Sequence, residues 1–243
     1  MDLGQHLMEA LEFETVFTIP FFGRQIPVTE TVVVSWAVMA ILIIASLLLT
    51  RNLKQVPRGP QIILEAMIGF LNSFSKQQFG SRAQKYGPYI GTVFLFLALS
   101  SILPVLSPVS VFGFKAPFAI KPPARDINVA AALAIISILL VLISGLRVRG
   151  FKGWLKNLAH PMPMMVPFNL LEYIIRPLSL CLRLFGNILG AFIIMSLIET
   201  VMPVAVPMLF SLYFDFIDGL IQAVVFVFLT SLFVAEAIGE ESH

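Results

Sequence analysis

Arg176-Pro177-Leu178-Ser179-Leu180-Cys181-Leu182-Arg183-Leu184-Phe185-Gly186-Asn187 sits inside an apolar run from about Met164 to Leu197. Nearly all of that run suits a bilayer; Arg183 does not. A guanidinium stays charged at any physiological pH, and placing one at the centre of a membrane helix costs about 2.5–3.5 kcal/mol on insertion scales. Snorkelling of the head to the interface is the structural alternative. The distance to the ends of the run, more than a dozen residues on either side, argues against it. A chain that keeps a fixed charge at such depth uses it.

The composition around that run is a membrane protein's. Of 243 residues, 58% are hydrophobic and only 12% charged, with a mean hydropathy of +0.92; soluble domains carry about 25% charged residues. The length is therefore spent on spans rather than on one aqueous core. A net charge of +2 leaves no footprint for nucleic acid, and the single cysteine, Cys181, excludes an internal disulfide or a cysteine-based metal site. His6 and His160 are isolated, so no metal site is expected. Asp2, Glu9, Glu12 and Glu14 precede the first basic residue, Arg24, the reverse of a secretory signal peptide, so the first span is expected to be retained.

Residues 1–31 read as an exposed external arm, with five acids and with Pro20 and Pro27 set against a continuous helix. Val32 to Thr50 is a first span of nineteen uncharged residues, followed by Arg51, Lys54 and Arg58. Gln61 to Gly80 reads as an amphipathic helix at the interface or packed on other helices. Ile62, Ile63, Ala66, Met67, Phe70, Leu71 and Phe74 take one side, and Glu65, Asn72, Ser73 and Lys76 the other. Tyr89 to Leu106 and Ile127 to Leu146 are the next two spans, with Trp154 a candidate interface anchor beyond the second. The segments 51–85 and 147–156 hold ten Lys/Arg, against four in the arm and the 107–126 loop. The positive-inside rule then puts the N-terminus outside.

Met164 to Leu197 and Pro203 to Ile238 are each about 50 Å long if helical, against a hydrocarbon layer of about 30 Å. Each either kinks, the first at Pro177, or tilts strongly. The reading preferred is a pair of long, tilted helices joined near Thr200 to Pro203, with one side face open to a partner in the membrane.

Arg176, Ser179, Gly186, Asn187 and Gly190 share the helical face of Arg183, and Glu172 lies close to it, eleven residues earlier. On the last helix Asp215, Asp218 and Gln222 follow steps of three, four and seven, with Gly219 on nearly the same side. Two neighbouring helices with ionisable rows are the ingredients of an ion path. Plainer roles stand beside that one: a salt bridge from Asp215 or Asp218 to Arg183 or Arg176, interhelical hydrogen bonds for Asn187 and Gln222, and a loop tip for Glu199. Glu236, Glu240, Glu241 and His243 read as a solvated tail without chemistry.

The run Pro177 to Asn187 resembles the signature of subunit a of F-type ATP synthases. Gln222 to Thr230 is similar to that family's last helix, and Pro167 to Glu172 and Ala124 to Val129 resemble two further family segments. The match runs in order from about residue 32 to the end. The resemblance implies a stator with two offset half-channels held against a rotating ring of c subunits, with peripheral-stalk b subunits as further partners. It implies passage of H+ or Na+ through a lipid membrane. Arg183 matches the essential arginine, which holds the ring carboxylate ionised and blocks a short circuit. Asn187 and Gln222 match positions near it. Asp215 stands where members often have histidine or glutamate, in the outer half-channel. Phe192 departs from the family's polar residue, so Asp215, Asp218 and Glu199 are the candidates for the entry relay. Glu172 resembles an acid of the inner half-channel, about one turn nearer the arginine than the family's pattern.

The expected architecture is therefore an all-α polytopic membrane protein. It has about three conventional spans, one amphipathic interfacial helix and a C-terminal pair of long tilted helices. One membrane domain, 1–243, divides into the arm 1–31, the spans and amphipathic helix 32–160, and the helix pair 161–243. The basic flanks and retained start point to a bacterial inner membrane, with a cytoplasmic C-terminus. No cofactor is expected. With no glycine loop of the GxxxxGK[ST] type, no ATP chemistry belongs to this chain. A secondary transporter or channel with a mid-membrane Arg/Asp site is the alternative, but no second copy of the 164–238 pattern accompanies it.

Overall fold

The computed structural model describes residues 15–21, 24–51, 53–105, 123, 126–158, 164, 166–201 and 212–239. Strands β1 (Thr15–Phe21) and β2 (Arg24–Thr29) form an antiparallel pair. Helices α1 (Glu30–Thr50), α2 (Pro60–Phe79), α3 (Ala83–Val105), α4 (Ile127–Leu158) and α5 (Val166–Val201) follow, with a 3-10 turn Gly80–Arg82 between α2 and α3. A π-helical segment, Leu212–Asp218, then leads into α6 (Gly219–Ile238). Five helical stretches are long and apolar enough to cross a membrane: Glu30–Thr50, Gln61–Leu103, Ile127–Leu155, Val166–Ala191 and Phe216–Ile238. The chain is an all-α polytopic membrane protein with a small hairpin at its start.

The hairpin gives residues 15–21 and 24–29 of the expected arm 1–31 a paired structure, and residues 1–14 lie outside the described residues. Thr18 faces Pro27 and Pro20 faces Gln25, so each proline sits on a two-stranded ribbon whose outer edges need no N–H donor. The prolines do forbid a helix, and the β-branched and aromatic residues between them pair instead. Phe17 packs against Trp36 of α1 with ring centroids 6.5 Å apart, and Val28 at the end of β2 is buried.

Each helix buries one stripe. In α1 the stripe is Thr31, Ser35 and Val38, and Ile41, Ile43, Ile44, Leu47 and Leu48 stay exposed, as expected of a lipid-facing span. In α2 it is Leu71, Ser75 and Phe79. Of the predicted apolar face of α2 only Leu71 is buried; Ile62, Ile63 and Phe70 are exposed, so that face covers lipid more than protein. In α4 it is Ala130, Ala134, Ser137, Val141 and Ser144. Small residues dominate because they let helix backbones approach closely where lipid offers no hydrophobic drive. The helix α4 continues past the predicted end at Leu146, with a break at Gly150, whose φ is 68°. The helix α5 runs through Pro177 as one helix of 36 residues, about 54 Å along its axis, and is not divided into two short helices.

Two compact units emerge from this chain. One draws on the described parts of 1–43, 96–129 and 184–222; the other on 44–95, 130–183 and 223–239. The second has an apolar core of Phe79, Ala83, Tyr86, Ile90, Val141, Val227, Val234, Ala235 and Ile238, taken from α2, α3, α4 and α6. Tyr89 and Ser137 share a hydroxyl hydrogen bond of 3.0 Å within it, and Trp154 donates its indole N–H to Tyr173 at 3.1 Å. The predicted interface anchor is thus tied into the protein.

In the first unit the joint is Asp126. It is 2% exposed. One carboxylate oxygen accepts from the Asn128 backbone N–H and side-chain amide, both at 2.9 Å, capping α4. The other accepts from the Thr31 hydroxyl at 2.9 Å, linking α1 to α4. Asp126→Ala is therefore expected to cost about 1–3 kcal/mol, through a lost N-cap and a lost buried acceptor. Asp126→Asn, which keeps an acceptor, should cost less. Unfolding in detergent of both variants beside the parent chain measures the difference.

Candidate ion-path site

Arg183 lies near the middle of α5. Its sequence neighbours Leu180, Cys181 and Leu184 are buried, and Leu182 is exposed, so the arginine stands at the border of the packed stripe. It is half-buried, and its Nη1 is buried with no hydrogen-bond partner among the described residues. A charged donor in that condition calls for an acceptor supplied from elsewhere.

One turn on, Asn187 donates its side-chain N–H to the Gln222 carbonyl oxygen at 2.9 Å, joining α5 to α6. Gln222 is 4% exposed, and its own amide nitrogen is buried without a partner among the described residues. The sequence offers each of these residues separately as an interhelical hydrogen-bond candidate, and the structure brings them together. Three residues before Gln222, Gly219 meets α3. A Cβ added to Gly219 would lie 2.5 Å from the Cβ and 2.6 Å from the Oγ of Ser101. The glycine is there for close approach, and Ser101 had no signal in the sequence.

The acids of the last helix are placed differently from the expectation. Asp215 and Asp218 fall in the π-helical segment, where bonds close from residue i to i+5 and each turn takes more residues. A three-residue step there falls further short of a full turn than in an α-helix, so the α-helical argument for a shared face does not hold between them. Single π turns recur at functional sites. Asp218 is half-buried at the junction with α6. Asp215, Glu199 and Phe192 belong to these helices, but their side chains lie outside the described residues.

Glu172 and Arg176 form an ion pair of 2.8 Å one turn apart on α5. Arg176 also holds Glu236 of α6 at 2.9 Å and lies over the Phe233 ring, 4.8 Å from its centroid. Glu236 is exposed, as the solvated-tail reading has it, and it also pairs with Arg176 of α5; Glu240, Glu241 and His243 lie outside the described residues. The signal was available: Gln222, Phe226, Phe233 and Glu236 follow helical steps of four, seven and three along one face. Among the described residues no group of three His, Cys, Asp or Glu is placed to hold a metal ion.

Comparison with known proteins gives the family. The family model "ATP synthase A chain" matches residues 32–235. The chain belongs to that family. It is 35% identical over 222 residues to "ATP synthase subunit a, sodium ion specific" of Propionigenium modestum, covering 89% of this chain and 76% of that one. It is 33% identical over 213 residues to "ATP synthase subunit a" of Moorella thermoacetica, covering 86% and 91%. Membership in the ATP synthase A chain family makes this an integral membrane subunit of the ATP synthase membrane sector, and leaves the secondary-transporter alternative without support.

The Gly219–Ser101 contact yields a test by exchange. Gly219→Ala is expected to destabilise the packing by about 1–3 kcal/mol through overpacking. Adding Ser101→Gly should recover most of that, because the nearest remaining atom would be the residue 101 Cα at 3.8 Å. Thermal stability of the solubilised complex, read for both single variants and the double, measures the recovery.

Proposed function

We propose that the chain is the ion-translocating stator subunit of a rotary ATP synthase. On this reading it holds two offset half-channels against a ring of c subunits. H+ or Na+ enters by one, binds a ring carboxylate, travels with the ring and leaves by the other. The observation that carries the reading is Arg183: a permanently charged group in mid-span whose Nη1 is buried without a partner among the described residues.

The physics follows from that charge. An opposite charge within about 4–6 Å lowers a carboxyl pKa by roughly 1–3 units. A ring carboxylate passing Arg183 would therefore give up its ion and be held ionised. The same charge repels a cation that tries to cross directly between half-channels. One elementary charge moved across 100 mV releases about 2.3 kcal/mol, so the gate protects the free energy that drives synthesis. Asn187 and Gln222 brace the helices on either side of the gate. Asp215, Asp218 and Glu199 form the entry relay in place of a polar residue at Phe192, and Glu172 lines the exit. The long α5, tilted in the bilayer, supplies the face that meets the ring, and peripheral-stalk b subunits hold the stator still. The N-terminus lies outside and the C-terminus in the cytoplasm of a bacterial inner membrane. The sodium-specific relative makes Na+ a coupling ion to test beside H+.

Arg183→Ala in the whole complex, reconstituted in proteoliposomes, should assemble yet lose ion-driven ATP synthesis by roughly a hundredfold, the rate equivalent of about 2.7 kcal/mol. Running the parent complex under H+ and Na+ gradients in turn identifies the ion. Normal synthesis by the assembled variant would make Arg183 a structural charge and end the gate model.

A further inference from the structure

The last turn of α6 is held by three arginines from three different elements. Arg82, in the 3-10 turn before α3, donates from Nη1 to the Ile238 carbonyl oxygen at 3.2 Å. Arg149 of α4 donates from Nε to the Ala237 carbonyl oxygen at 2.9 Å and from Nη2 to the Glu236 carbonyl oxygen at 3.0 Å. Arg176 of α5 holds the Glu236 carboxylate at 2.9 Å. The last four carbonyls of a helix have no intrahelical donor, and the helix dipole places partial negative charge there. Guanidinium forks satisfy both at once. The backbone is shaped around them: Gly239 ends the helix at φ 76°, and a Cβ there would come within 3.0 Å of Arg149 Nη2. The helix α4 breaks at Gly150, directly after Arg149.

We infer that Arg149 and Arg82, with Arg176, are positioning residues that set the axial register of α6, and through it the level of Gln222 and Asp218. At its start α6 is fastened by Gln222, which accepts from Asn187. Between that point and its last turn the buried stripe is mostly apolar, Ala223, Phe226, Val227, Val234, Ala235 and Ile238 beside Thr230 and Ser231, and apolar contact is non-directional. Bonds to individual carbonyls have a geometry that a slide along the axis breaks. The helix is continuous from Gly219 to Ile238, so a shift at its end is a shift at Gln222. The functional consequence rests on the stator reading above; the register does not.

The test uses the whole complex with Arg149→Ala and Arg149→Lys. Lysine keeps the charge but loses the fork that serves two carbonyls. Register is read by a short thiol cross-linker between Ser137→Cys of α4 and Thr230→Cys of α6, which line one crevice, in a Cys181→Ser background. Function is read as ion-driven ATP synthesis per assembled complex without the added cysteines. A misplacement of about 1 Å costs up to about a hundredfold in a positioned site. The expected result is therefore reduced cross-linking and at least a roughly tenfold loss of synthesis for Arg149→Ala, with Arg149→Lys in between. If Arg149→Ala does not assemble, Arg149→Lys decides, by the same two readings. Unchanged cross-linking overturns the inference whatever the rate does. Reduced cross-linking with normal synthesis keeps the register role and overturns its link to ion transfer.

Discussion

Hydrocarbon offers no hydrogen bonds, so every polar group carried into it must find a partner inside protein. The backbone meets that demand with helices. The side chains meet it locally: Ser35 bonds to the Thr31 carbonyl at 2.8 Å, Ser231 to the Val227 carbonyl at 2.7 Å, and Thr92 to the Pro88 carbonyl. Longer-range polar contacts then join helices, as Thr31 does with Asp126, Tyr89 with Ser137 and Asn187 with Gln222. Against that background the buried atoms without a partner among the described residues carry information. They are the hydroxyls of Tyr86, Ser100 and Thr230, Arg183 Nη1 and the Gln222 amide nitrogen, and the last two belong to the residues on which the proposed ion path is built.

Much of this was legible in the sequence because a membrane reduces the choices. The uncharged run 32–50 can hardly be anything but a span, and the structure starts that helix only two residues earlier, at Glu30. Arg183 stood out by cost alone. Helical spacing offers Asn187 and Gln222 each as an interhelical hydrogen-bond candidate, and the structure makes them each other's partner. The losses have a common cause: period-based reading assigns each helix its faces but does not say which helices meet or where the period itself changes. The π-helical segment 212–218 alters the faces of Asp215 and Asp218 without any proline or glycine to announce it. Glu236 reads as solvated and is exposed; what spacing does not show is its partner Arg176, sixty residues away. The hairpin is hard to see in the sequence because Pro20 and Pro27 argue against helix while suiting an edge strand equally well.

The helix α6 shows how an apolar rod is kept in place. Its middle is packed by Ala223, Phe226, Val227 and Val234, residues whose burial stabilises contact but tolerates sliding. Its ends are specific. At the start, Gly219 closes on Ser101 and Gln222 accepts from Asn187. At the finish, arginines take the open carbonyls and the Glu236 side chain. A one-residue slide would move the helix about 1.5 Å, enough to break bonds that tolerate only a few tenths of an ångström at 2.9 Å. This division suits the stator role proposed above: a smooth apolar flank lets the helix lie in lipid and against its neighbours, and the polar fastenings at either end hold Gln222 and Glu236 to named partners.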